Sequence, residues 1–173
     1  MNRDLAKVET PSLDVPIGVV LDTNAALDLF FWRDPDAGEL ERLWRAGMIR
    51  FLASPPCLGE FAHVLRRSPF ADDVRAPPAL AAYHATVAVI EPDAPLMHPP
   101  LPRCRDRSDQ KFLEAALQAR VPLLVSRDKA LRILGRRRHA LPFAILPPGD
   151  AGDWLCQRIE TSAVPRGHSR VGD

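Results

Sequence analysis

Apolar residues recur along this chain in two spacings. Ile17-Gly18-Val19-Val20-Leu21, Pro122-Leu123-Leu124-Val125 and Phe143-Ala144-Ile145-Leu146 are short runs with no polar face. Such runs read as strands buried on both sides of a parallel sheet. Ile49-Arg50-Phe51-Leu52-Ala53 and Val87-Ala88-Val89-Ile90 add two more short strands. Between the runs, apolar residues return every three or four positions: Leu40, Leu43 and Trp44; Leu58, Phe61, Ala62 and Leu65; Phe112, Leu113, Ala116 and Leu117; Leu131, Ile133 and Leu134. That spacing lines one face of a helix. Gly47 is placed to close a helix over residues 36–46, and Gly135 stops the one that carries Leu131. Ser54 as N-cap and Pro55 in the first turn open the helix that carries Phe61. Ser108 is placed to cap the helix that carries Phe112; one more helix is expected over residues 78–86, and a short one after Pro147-Pro148-Gly149-Asp150. Strands alternating with helices predict a parallel, right-handed α/β layer fold.

Composition narrows the class. A chain of 173 residues suits one domain with a sizeable core. The expected division is a flexible leader at 1–16, one domain at 17–157 and a polar, disordered tail at 158–173. A net charge of +1 makes the whole molecule no general polyanion binder, so any such role falls to local patches. Cys57, Cys104 and Cys156 are odd in number and form neither a CxxC pair nor a zinc spacing, which favours a reducing cytoplasm. No apolar run is long enough to span a membrane. The 18 prolines gather between elements and punctuate them.

Four acids fall where folding alone does not call for them. Asp22 and Asp128 end two core strands, and ligand crevices of open α/β sheets lie at such carboxyl ends. Asp109 starts a helix on the same face as Phe112 and Leu113, and Glu60 edges the buried stripe of its helix. Taken singly, Asp109 reads equally as a cap and Glu60 as a peripheral charge. Taken together the four make a pocket of oxygen ligands that a hard divalent cation would neutralise. That points to magnesium- or manganese-dependent phosphate chemistry.

The motifs resemble the PIN domain over roughly residues 17–152. They are Val20-Leu21-Asp22-Thr23-Asn24, Ser54 to Phe61 ending in Glu60, Arg105 to Ala116 around Asp109, and Leu124-Val125-Ser126-Arg127-Asp128. The resemblance implies a three-layer α/β/α sandwich around a mainly parallel sheet. It also implies a metal-dependent ribonuclease, and it lies nearest the subgroup of bacterial toxin components. Ser126 departs from the family's commoner threonine. Asp22 and Asp109 would then be the core metal ligands, and Glu60 would complete the shell or orient a water. Asp128 would hold a second ion or the waters of the first, with Mg2+ or Mn2+ as cofactor. Asn24 and Ser126 are expected to hydrogen-bond the carboxylates or the scissile phosphate, though each reads equally as an ordinary turn residue.

Other groups carry less. Asp106 reads as a cap or turn residue, and Asp28, Asp34, Asp36, Asp72 and Asp73 as loop or surface acids. His63 lacks the second E-x-x-H motif that a di-metal bundle needs, and no P-loop or GxGxxG is present. Arg132, Arg136, Arg137 and Arg138 read either as a solvated helix end or as a basic rim leading RNA to the acids. No RNP-like motif marks a stacking platform. Phe30, Phe31 and Trp32 read equally as a groove for a partner helix, as core, or as a homodimer interface. A small antitoxin protein presenting Arg or Lys to the acids is the expected partner. Two alternatives remain open at this level: a PIN-fold binding module that does not cleave, and a metal-dependent phosphatase.

Overall fold

The structure is a computed structural model that describes residues 15–91, 101–136 and 141–163. Nearly all of the expected leader, much of the expected tail, part of the proline-rich segment, and Arg137 and Arg138 lie outside the described residues. Five parallel strands form one sheet: β1 (Ile17–Leu21), β2 (Ile49–Ala53), β3 (Ala88–Val89), β4 (Leu123–Val125) and β5 (Ala144–Leu146). Their order is β3-β2-β1-β4-β5. β1 pairs with β2 from Ile17↔Ile49 to Val20↔Leu52, and with β4 from Val19↔Leu123 to Leu21↔Val125. The chain therefore winds outward from β1 on one side and from β4 on the other, and the order reverses between these two strands.

Among the described residues, seven helices cover the sheet: α1 (Thr23–Leu27), α2 (Gly38–Arg45), α3 (Pro55–Leu65), α4 (Ala76–Thr86), α5 (Gln110–Gln118), α6 (Lys129–Arg136) and α7 (Pro148–Ala163). α2 packs on β2 and on α7, while α3 packs on α1, α4 and α5, and α5 lies on β1 and β4. The result is the expected α/β/α sandwich. Val19, Val20, Leu123, Leu124 and Val125 are completely buried, as strands covered on both faces require. Gly47 closes α2 with φ +71°, a left-handed conformation that a Cβ would strain. At Gly152 the close approach of α7 to α2 leaves only 2.7 Å between an added Cβ and that of Glu39.

Several expectations are corrected. α1 runs into a π-helical turn, Asp28–Trp32, where no helix was expected. That turn buries Phe30 and Phe31. Phe30 meets Phe51, Phe61 and Tyr83 edge to face at ring distances of 6.4, 6.5 and 5.3 Å. Burying such a ring is worth roughly 2–3 kcal/mol, so these two residues are core and form no partner groove. Ser54 occupies the N-cap position, but its hydroxyl donates to Cys57 Sγ at 3.1 Å instead of capping. Asp106, not Ser108, caps the turn before α5, accepting from the Ser108 amide and hydroxyl at 2.8 Å each. α7 continues to Ala163, so the domain boundary expected at 157 falls inside a helix. Ala151, Leu155 and Ile159 bury one stripe of it.

Candidate active site

The sheet register sets the first two groups side by side. Leu21 pairs with Val125, so Asp22 and Ser126 are the first residues beyond the ends of adjacent strands. The Asp22 amide donates to the Val125 carbonyl at 3.0 Å, and the Ser126 amide to that of Leu146 at 2.8 Å. This is the point where the strand order reverses, the usual place for a crevice in such a sheet.

Asp22 is 4% exposed. Its carboxylate accepts the Ala25 amide at 2.7 Å and so caps α1. Burial pushes this carboxyl up to about 6; bonds from Ala25 and Ser126 pull it down, and the charges of Asp109 and Asp28 raise it further. Asp109 ends the 3-10 turn Arg107–Asp109 and is half-buried. Its carboxyl is raised too, first by burial and then by Asp106, Asp128 and Glu60, with Lys111 opposing. Glu60 projects from α3; it accepts the Thr23 hydroxyl at 2.5 Å and pairs with the Lys111 ammonium. Asp128 accepts the Ala130 and Leu131 amides at 2.6 and 2.9 Å, capping α6, while its own amide donates to Ser126 Oγ at 3.0 Å. The charge of Asp109 thus reaches Asp22, and those of Glu60 and Asp128 reach Asp109, so the four acids lie around one region of the fold. Asn24 is exposed and, among the described residues, makes no hydrogen bond to any of the four.

The Asp22 and Asp109 carboxyls, raised by burial and by neighbouring acids, suit a small hard cation in kind. Among the described residues no three acid, His or Cys side chains converge closely enough to hold one ion. Magnesium takes only one or two carboxylates and keeps its waters, so the donors fit an ion held chiefly by Asp22 and Asp109.

Four participants were not evident from spacing. Lys111 follows Asp109 by two residues; it pairs with Glu60 and donates to the Ser108 carbonyl. Thr23 holds the other Glu60 oxygen. Arg127 pairs with Asp28, and reaches Asp34 and Asp36 at 3.2 Å each. Asp28, expected as a surface acid, is buried beneath that guanidinium. An open cavity of about 620 Å3 adjoins Asp128 and is lined by Asn24, Asp28, Trp32, Arg105, Arg127 and Lys129, among others. Arg132 and Arg136, the described members of the expected basic rim, are not part of its lining. Arg132 is half-buried and Arg136 exposed.

A parallel α/β/α sandwich with carboxylates at its switch point defines a class of open α/β domain whose ligands bind at the carboxyl ends of the strands. The model of the PIN domain matches residues 18–130, well over half of the chain, and the chain belongs to that family. Members are generally nucleases, which places this protein among the hydrolases. No curated protein matches the chain. Among the described residues no helix is long and apolar enough to cross a membrane.

Proposed function

We propose that the chain is a divalent-metal-dependent endoribonuclease that hydrolyses RNA phosphodiester bonds, and that it is the toxin of a toxin–antitoxin pair. The observation that carries this reading is the buried Asp22 carboxyl, held high beside Asp109 where the strand order reverses. Asp22 and Asp109 hold the cation. Thr23 and Lys111 fix Glu60 at its flank, and Ser126 steadies Asp22 and the backbone of Asp128. When bound, magnesium or manganese supplies Lewis acidity towards the phosphate and lowers the pKa of a water. Asp128 borders the open cavity, the approach for the strand. Asp109, Glu60 and Asp128 are only partly buried, which suits an antitoxin segment that presents Arg or Lys to them through charge-assisted hydrogen bonds.

The test is cleavage of single-stranded RNA with manganese or magnesium. Asp22→Asn and Asp109→Asn should each lower the rate on the order of 100-fold, since such groups act as a unit, and Asp106→Ala much less. Full activity in Asp109→Asn would sink the proposal. In a bacterial host, growth arrest should require Asp109 and be relieved by a neighbouring small gene; harmless expression of folded protein removes the toxin role alone. The Lys111–Glu60 pair favours one other reading, a PIN fold that binds RNA without cutting it. RNA binding with no turnover in either metal would choose that reading.

A further inference from the structure

The cavity beside Asp128 has two features that the acids do not account for. The first is Trp32, which lines it. Trp32 is 49% exposed, whereas every other Phe, Tyr and Trp among the described residues is buried or partly buried. It ends the π-helical turn, and the chain leaves it through Arg33 in a left-handed conformation. Phe31 and Phe70 meet its ring edge to face at 4.6 and 5.8 Å, and the Arg75 guanidinium lies 5.1 Å from its centre. The ring is thus braced from within the protein and still presents surface to the cavity.

The second feature is the sorting of cations. Arg127 is neutralised by Asp28, Asp34 and Asp36. Arg105 and Lys129 also line the cavity, both are exposed, and neither forms an ion pair among the described residues. A braced aromatic ring that shares a cavity with two cations lacking an ion pair among the described residues is an arrangement that single-stranded nucleic acid uses: a base stacks and phosphates pair. The cavity volume lies within the range of about 300–1,000 Å3 usual for ligand sites.

We propose that the cavity is the subsite for the nucleotides flanking the scissile phosphate, with one base stacked on Trp32 and the backbone held by Arg105 and Lys129. This rests on the ribonuclease reading for its choice of ligand. Asp128, at the cavity's border, marks where the strand enters the acidic centre. Stacking tolerates any base, so this subsite positions the strand without selecting a sequence.

The experiment measures binding of a fluorescent single-stranded RNA octamer to the metal-free full chain in chelator, so that affinity is read apart from cleavage. Trp32→Leu should weaken binding roughly tenfold, and Trp32→Phe should restore most of it. Arg105→Gln/Lys129→Gln should weaken binding and reduce the slope of log affinity against log salt by about 1.4, two phosphates' worth. Trp32 also packs on Phe31 and Phe70, so a further arm leaves the protein unaltered. Octamers with one abasic position each should show a single sensitive position in the wild type, and none in Trp32→Leu. Wild-type affinity in Trp32→Leu, no sensitive position, or no RNA affinity at all would overturn the subsite. Trp32-dependent binding without cleavage in manganese would keep the subsite and remove the ribonuclease reading. Cleavage with binding indifferent to Trp32 would do the reverse.

Discussion

At Asp22 one carboxyl caps α1 through the Ala25 amide and is also buried beside Asp109 and Asp28. The two roles pull its protonation in opposite directions, and burial prevails: the group rises from 3.8 to about 6. The folded state therefore binds a proton more tightly than the unfolded chain. The stability this confers is complete below pH 3.8 and is lost as pH rises through about 6. Asp22→Asn keeps the cap's shape and removes the buried charge. It should be more stable than wild type by roughly 3 kcal/mol at pH 7.5 without metal, the gap closing towards pH 4. Urea unfolding at several pH values checks this, and an equal gap across the range would count against the burial of a charged Asp22. Asp22 was legible because it ends an apolar run, and Asp109 because it shares a face with Phe112 and Leu113. Lys111 and Arg127 were not, since a charge beside a motif looks the same whether it points to solvent or across the fold. Asp28 was misjudged for a related reason: a five-residue π-helical turn carries no periodicity that would tell its buried side from its open one.

Among the elements, the strands were the most readable, because burial on both faces leaves an unbroken apolar run. α7 was cut short in expectation by its polar composition, although Ala151, Leu155 and Ile159 recur every fourth residue. α1 and the turn after it are too short for a helical period to show, yet they carry Asp28 and Trp32 to the cavity. What ties this segment down is Arg127, just beyond β4, which reaches across to Asp28, Asp34 and Asp36. Asp28 is buried and the Arg127 side chain 38% exposed, so loss of the cation strands one acid in the interior while water screens the others. Arg127→Met should cost about 1–3 kcal/mol. Adding Asp28→Asn should recover part of that loss, a coupling that a double-mutant cycle in denaturant would measure. Strict additivity of the two changes would show that the clamp is ornamental to stability.

For the molecule as a whole, the fold directs acids from four separate segments towards the carboxyl ends of the central strands β1 and β4, and a cation that binds there would relieve their repulsion. Manganese or magnesium well above its Kd should raise the Tm by roughly 5 °C or more. Asp22→Asn/Asp109→Asn should lose this response, and a wild-type melting curve indifferent to millimolar metal would argue that the acids serve something else. The chain already keeps one cation among these acids, the Lys111 ammonium against Glu60. Its own side chain supplies part of the counter-charge, so the charge of Glu60 is offset without an ion. In the proposed reading, an ion between Asp22 and Asp109 would settle beside this tethered ammonium, with Glu60 already committed to it.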